Sequence, residues 1–289
     1  MTALNRSNVL PFRRSHVCLF PFLMLISVSV LGADKRLISS EQLLEGMNIS
    51  LETDALIEAL SHENPIVSKS AVTVLAQRGG REVVDALERR VANQSGGLRT
   101  AMGIALAKLG SETGLEVLRE ALRSGDQAIR IEAANGLCRF GGSKEDTVSA
   151  RETLKEHVSQ KDRRNRLSTI EVIGSCFSRE ERIQLLTPLL EDGDRYISGA
   201  AAEQLRMMKD CRVVPLFVEL LEDEDPTLRY IANRGLEELS NTTVHYFHTD
   251  DPAKRERAIE RWQMWWQEEK CDGEPGQNVE DGNRSDRNG

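Results

Sequence analysis

The chain contains 289 residues, of which 38 are basic and 46 are acidic, so its net charge at pH 7 is −8. Without the first 33 residues, which include 3 Arg and no acidic residue, the balance is 35 basic against 46 acidic residues, or −11. Such an acidic surface repels nucleic acid phosphates and anionic lipids. The composition therefore argues against nucleic acid and against a membrane surface as partners.

The N-terminus has the layout of a secretory signal peptide. Arg6, Arg13 and Arg14 precede an apolar run at residues 17–31, and Leu31-Gly32-Ala33 offers small residues for cleavage. The apolar run is shorter than the roughly 20 residues that a membrane span needs. We therefore expect residues 1–33 to be a signal peptide and the protein to be periplasmic or secreted. A retained N-terminal membrane anchor is the alternative.

Six related segments follow, at residues 66–79, 97–110, 128–141, 164–177, 196–209 and 227–240. Their offsets are 31, 31, 36, 32 and 31 residues, and a period of this size is typical of a helical solenoid. One position is apolar in every copy: Leu75, Leu106, Leu137, Ile173, Leu205 and Leu236. Because neighbouring apolar and small columns recur at i, i+4 and i+8, they share one face of a helix.

A helix N-cap residue precedes each of these segments: Asn64, Ser95, Asp126, Asp162, Asp194 and Asp225. Side chains of this kind accept the free N–H groups of the first helical turn. A second amphipathic segment lies upstream of every cap. Each repeat is therefore predicted to be a hairpin of a first helix, called the A helix, and a capped second helix, called the B helix.

Two of the copies carry a family resemblance. The segments GDQAIRIEAANGLCRFG (125–141) and DEDPTLRYIANRGLEEL (223–239) resemble HEAT repeats of the short bacterial kind related to phycobilisome-lyase repeats. The shared pattern is a cap, an Arg four residues later and an Ala-Ala pair. The Arg is present as Arg99, Arg130, Arg166 and Arg229, whereas Ser68 and Ser198 depart from the pattern.

This resemblance covers residues 51–240 and implies an all-α fold, a right-handed α-α superhelix of about six helical hairpins with the B helices on its concave side. Residues 34–50 are predicted to be a half-repeat that caps the N-terminal end. Residues 241–270 are predicted to be a loop and a Trp-rich capping helix, with Ile259, Trp262 and Trp266 on one face. An aromatic binding site is the alternative for this face. Residues 271–289 lack apolar runs and are predicted to be disordered.

The four cysteines after the signal segment fit no metal or haem motif. They are Cys138, Cys176, Cys211 and Cys271. We expect buried, unbonded side chains first. A disulfide is the alternative, because export would place the protein in an oxidising compartment. Cys176–Cys211 is the first pair to test, and Cys138–Cys176 is the other.

No catalytic signature is present in the sequence, and we expect a non-enzyme without a cofactor or a metal. The sequence contains no HExxH, no GxSxG and no P-loop. His245 and His248 are close in sequence, but no Asp or Cys accompanies them at a recognisable ligand spacing. Packing of this loop under the capping helix is the preferred interpretation.

The remaining candidate is a recognition surface on the concave side. Outward-facing positions of the B helices predict an apolar and aromatic strip with one charge: Ile104, Ile131, Leu167, Tyr196, Tyr230 and Arg234. Exposed aromatic side chains of this kind anchor protein interfaces. The alternative is that these side chains pack between repeats.

Three functions remain open. The preferred one is a non-catalytic exported scaffold that binds a protein or peptide on its concave face. The family resemblance implies a second, which is phycobilin-lyase-like handling of a chromophore or tetrapyrrole. The third is an accessory subunit of an exported redox or membrane complex. The sequence leaves the partner and the oligomeric state open.

Overall fold

The computed structural model describes residues 38–141 and 143–269, and this part of the chain is built from α-helices and short 3-10 turns without a β-strand. The predicted signal peptide and the predicted disordered tail lie outside the described residues. The predicted all-helical solenoid fold is confirmed.

Six helical hairpins follow a short first helix, α1, at Ser40–Gly46. The A helices are α2 (Thr53–Ala59), α4 (Arg81–Val91), α6 (Glu112–Ala121), α8 (Lys144–Val158), α10 (Arg179–Leu186) and α12 (Val214–Leu220). The B helices are α3 (Pro65–Arg78), α5 (Gly96–Lys108), α7 (Gln127–Phe140), α9 (Arg163–Val172), α11 (Arg195–Met207) and α13 (Pro226–Ser240). Turns of 3-10 helix lie at Ile173–Ser175, Thr187–Glu191 and Cys211–Val213, and α14 (Pro252–Glu269) closes the array.

The predicted caps start the B helices at five of six places. Asp126 Oδ1, for example, accepts a hydrogen bond of 2.8 Å from the Ala128 N–H. Ser95 occupies the cap position of α5, but its side chain makes no cap hydrogen bond, so the prediction is wrong there. The helix begins instead with Gly96 at φ 57°, a left-handed conformation that glycine adopts at little cost.

The repeated apolar column lies in the core of every hairpin, with Leu75 and Leu106 in one buried cluster and the other four members in a second. All six members are buried, and so are the six residues of the neighbouring column, which are small or polar except for Met102. Small side chains in this second column let successive helices approach closely. No single hairpin could bury its apolar face alone, so each hairpin depends on its neighbours.

The B helices form the inner layer of the array. The backbone of each B helix packs along that of the next one, whereas the backbones of the A helices after α4 lie farther apart and are joined by side-chain ion pairs such as Arg119–Asp146. Closer spacing in the B layer curves the array toward that side. We call the surface of the B helices that is turned away from the A helices the inner face.

In hairpins two, three and four, the Arg of the family pattern ties the hairpin to the next one. Arg166 Nε donates to the carbonyl of Val158 (3.0 Å) at the end of its own A helix, and its Nη2 pairs with Asp192 of the following hairpin. Arg130 likewise bonds Ser124 O (2.8 Å) and the His157 ring (3.1 Å). These contacts explain why arginine recurs at this position, since its long side chain reaches the turn of its own hairpin and a residue of the next hairpin at once.

The C-terminal helix closes the array as predicted. Ala258, Ile259 and Trp262 of α14 are buried in the core that includes the last hairpins. The Trp262 Nε1–H donates to Asn233 Oδ1 (3.2 Å), and the Tyr246 hydroxyl donates to Leu221 O (2.6 Å). Because the Trp262 side chain is fully buried in this packing, it is not available at the surface to contact a partner.

The cysteine prediction is corrected. Cys138 and Cys176 form a disulfide with Cα atoms 5.0 Å apart, within the usual range for such a bond. The preference for unbonded side chains is therefore wrong for these two, and the foremost pair, Cys176–Cys211, does not form. The physical reason is that α9 ends early, at Val172, and a 3-10 turn then places Cys176 beside the end of α7.

Candidate partner-binding face

The inner face carries a row of charged side chains contributed by five of the B helices, and we call it the charge row. Its members are Lys69, Glu132, Glu171, Glu203, Arg206, Arg234 and Glu238. Since these side chains project from separate hairpins, only the packing of the array brings them onto one surface.

At its N-terminal end the charge row spans three hairpins. Lys69 Nζ of α3 lies 4.0 Å from Glu132 Oε1 of α7, although α5 lies between these two helices. Gly97 at the start of α5 makes this reach feasible, because a Cβ there would lie 2.7 Å from Lys69 Nζ. A contact between hairpins one and three requires the inner face to be strongly concave.

Two carboxylates occupy the middle of the charge row. Burial among surrounding protein atoms raises the pKa of Glu132, with Lys69 acting in the opposite direction, and burial also raises the pKa of Glu171. Glu132 lies on α7 and Glu171 on the next B helix, α9. Within the described residues Glu171 has no ion-pair partner. This region therefore has spare acceptor capacity for a cation.

The C-terminal end of the charge row is internally balanced. Arg206 Nε donates to Glu203 Oε2 (2.8 Å) and Arg206 Nη1 donates to Glu238, which also accepts from Arg234 Nε (3.1 Å). Hydrogen bonding to Glu203 raises the pKa of Arg206. Because these two arginines and two glutamates form ion pairs with one another, they are less available to a partner than the carboxylates in the middle of the charge row.

Two tyrosines are exposed on α11 and α13, and we call them the tyrosine pair. Tyr196 and Tyr230 are 47% and 48% exposed. The guanidinium groups of Arg163 and Arg195 lie 5.0 and 5.1 Å from the Tyr196 ring centre, and Tyr230 meets the His248 ring edge-on at 5.3 Å. A hydrogen bond from Arg195 lowers the pKa of Tyr196. Because these neighbours already restrict the two tyrosine side chains, the side chains would lose less conformational entropy when a partner binds.

The residues of the predicted strip differ in how exposed they are. Ile131 is 1% exposed, whereas Ile104 and Leu167 are partly buried against the core. A Cβ on Gly136 would lie 2.9 Å from Ile104 Cγ1, so this side chain leans onto α7. The three aliphatic residues thus pack between repeats, as the alternative for this strip states, and Ile131 is buried and not on the surface. Tyr196, Tyr230 and Arg234 are exposed, and their part in binding stays a prediction.

Sequence reasoning missed how the charges pair. Lys69 and Glu132 are far apart in sequence, and the signal that links them is the small residue at Gly97 in the intervening helix. Arg206 and Glu238 could have been found by their spacing of one repeat, 32 residues. Periodicity identifies the face on which such residues lie, but it does not identify partners.

The described residues contain no group of three or more His, Cys, Asp or Glu side chains that could hold a metal ion. No helix in this part of the chain is long and apolar enough to cross a membrane.

Comparison with known proteins places the repeats in a family. The HEAT repeat model matches residues 53–138, 116–206 and 150–237. Three solved structures are similar. The Escherichia coli protein YibA is 16% identical, with 80% of this chain and 99% of that chain covered and a TM-score of 0.44. An engineered protein is 17% identical, with coverage of 65% and 96% and a TM-score of 0.39.

The third structure is the complex of CpcE and CpcF of phycocyanin lyase from Nostoc sp. PCC7120, 14% identical, with coverage of 74% and 95% and a TM-score of 0.38. No curated protein matches the chain. Since the family matches overlap and together extend from residue 53 to residue 237, more than half of its length, the chain belongs to the HEAT-repeat family.

Proposed function

We propose that this chain is an exported, non-catalytic scaffold that holds a protein or peptide partner along its inner face. Solenoids of stacked helical hairpins present extended concave surfaces, and this shape suits a partner that contacts several repeats at once. The observation that carries the proposal is the continuity of the inner face. Lys69–Glu132 and Arg206–Glu238 each join different hairpins into one surface.

The charge row favours a partner with basic side chains. Glu132 and Glu171 occupy its middle, and Glu171 has no ion-pair partner among the described residues. The whole chain has a net charge of −8, which adds long-range attraction for a cationic segment. A lysine or arginine near Glu171 would gain an ion pair in a partly desolvated position. The tyrosine pair would add aromatic anchors.

Export is supported by two independent features. The N-terminal sequence has the charged, apolar and small-residue order of a signal peptide. The Cys138–Cys176 disulfide favours an oxidising compartment, since cytosolic thiols are kept reduced. The mature N-terminus is then expected directly after Ala33.

The test is affinity capture from the exported fraction of the native cells, with cross-linking mass spectrometry to locate the contacts. The double variants Y196A/Y230A and E132Q/E171Q should each weaken capture of the same partner by about tenfold or more. V148A and M264A are the matched controls, because Val148 on α8 and Met264 on α14 are 45% and 56% exposed but lie outside the inner face.

Far-UV circular dichroism of every variant establishes that the helices are intact. Undiminished capture by both double variants, or equal losses in the two controls, would refute a role for the inner face. Recovery of a bound pigment that absorbs visible light would favour chromophore handling instead. An uncleaved N-terminus in cytosolic protein would contradict export.

A further inference from the structure

The junction between the third and fourth hairpins differs from the others. Its repeat spacing is 36 residues, whereas the other spacings are 31 or 32. The added residues lengthen α8, which at 15 residues is the longest A helix. The B helix of the fourth hairpin, α9, has only 10 residues and ends in the 3-10 turn Ile173–Ser175.

The apolar contact across this junction is interrupted by polar side chains. Asn165 stands where the five other copies have an aliphatic residue, and buried Thr169 stands in the small column. Thr169 Oγ1 donates to the carbonyl of Asn165 (2.8 Å) inside α9. The contact of the fourth B helix with α7 is shared between α9 and the 3-10 turn Ile173–Ser175 that continues it. Buried aliphatic side chains of both hairpins, among them Leu137 and Ile170, belong to one core across this junction.

Polar and covalent bonds link the two ends of α9 to α7. Near its start, the Asn165 side-chain amide donates to Gln127 of α7. Near its end, Ser175 Oγ donates to Asn135 Oδ1 (2.9 Å), and the Cys138–Cys176 disulfide follows directly. The disulfide thus adds a covalent cross-link between α7 and the fourth hairpin, beside the shortest B helix of the array.

We propose that the Cys138–Cys176 disulfide is a redox-sensitive clamp that fixes the orientation of hairpins one to three relative to hairpins four to six. It thereby sets the relative placement of Glu132 on α7 and Glu171 on α9, which lie on opposite sides of the clamped junction. The clamp concerns the shape of the array and stands independently of the partner-binding proposal.

The opening step is thiol–disulfide exchange with a dithiol reductant. A thiolate of the dithiol attacks Sγ of Cys138, which is partly exposed, and the S–S bond breaks to release the Cys176 thiolate, which takes up a proton. The second thiol then attacks the mixed disulfide and releases Cys138 as a thiol. The dithiol leaves as its cyclic disulfide, so two electrons and two protons have passed to the protein.

The test measures a distance across the junction in the full chain. Spin labels are attached by non-cysteine chemistry at exposed Glu116 of α6 and exposed Glu219 of α12, and the distance distribution is read by pulsed electron resonance. Dithiothreitol, or the double substitution C138A/C176A, is expected to broaden this distribution about twofold, as for release of a hinge. A second label pair at Gln184 of α10 and Glu260 of α14 does not cross the junction and should keep its width in C138A/C176A, which leaves the disulfide of Cys211 intact.

Adding dithiothreitol to C138A/C176A provides a further control, since it should cause no additional broadening if this disulfide is the one that matters. An unchanged Glu116–Glu219 distribution in both the reduced protein and the double variant would overturn the clamp. Equal broadening of the control pair would overturn it as well. So would loss of helical circular dichroism on reduction, because the bond would then support the fold and not the orientation of its halves.

Discussion

At the scale of single residues, one glycine sets the closest approach between two helices. Gly114 of α6 packs on the backbone of α5, and a Cβ on Gly114 would lie 2.2 Å from the Ala107 backbone nitrogen and 2.7 Å from the Gly103 carbonyl oxygen. Backbone atoms cannot yield as a flexible side chain can. The two helices must separate if Gly114 gains a methyl group.

We therefore expect G114A to destabilise the protein by about 1–3 kcal/mol, the usual cost of overpacking, although alanine is the better helix former. The matched control is G199A in α11, where a Cβ would meet nothing within 4 Å. That substitution should stabilise by about 0.5–1 kcal/mol. Urea unfolding of both variants measures the difference, and a neutral or stabilising G114A would contradict the close approach.

At the scale of secondary-structure elements, α14 protects the end of the array. The last hairpin of a solenoid has no following hairpin to cover its apolar side, and α14 takes that place with Trp262. The hydrogen bond from the Trp262 Nε1–H to Asn233 leaves no buried donor unpaired at the indole.

Truncation of this side chain should be costly. W262A is expected to lower the free energy of unfolding by about 3–5 kcal/mol, as for large-to-small changes of buried aromatic residues. M264A, two residues away and exposed, should change it by less than about 0.5 kcal/mol. Thermal and urea unfolding compare the pair. Similar small effects in both variants would show that α14 is not part of the cooperative fold.

At the scale of the whole molecule, the hairpins are connected by cross-repeat ion pairs that respond to acid. Asp146 accepts two hydrogen bonds from Arg119 of the preceding hairpin, at 2.8 and 2.9 Å, and these lower its pKa. Arg166 lowers the pKa of Asp192 in the same way, and Arg99 lowers that of Glu120. The carboxylate forms are thus favoured in the folded state.

Since the folded pKa of each of these groups lies below its unfolded value, their stabilising effect is complete above about pH 5 and is lost as the pH falls through the folded pKa. We expect the free energy of unfolding to drop below about pH 5. D146N should cost about 1–3 kcal/mol at pH 7, because Asp146 is buried, and its deficit should shrink in acid. A deficit that is the same at pH 7 and pH 3 would exclude this coupling.

Much of the array could be predicted from the sequence because its signals are local or periodic. The Leu75 column, the Asp126 cap and the Pro252 start of the closing helix each depend on residues within a turn or two, or on the same position one repeat later. Such signals survive in a single sequence, since every hairpin uses the same physics of amphipathicity and capping.

The rest depended on packing between hairpins. The sequence determined the class of fold, the inner layer and the exposed tyrosines, since periodicity specifies which face of a helix each residue occupies. Only the tertiary structure decided that Ile131 is buried, that Lys69 reaches Glu132 past Gly97, and that Cys176 bonds Cys138 and not Cys211. These outcomes follow from the early end of α9 and the close approach of helices at small residues, which are distances between elements that the repeat pattern does not specify.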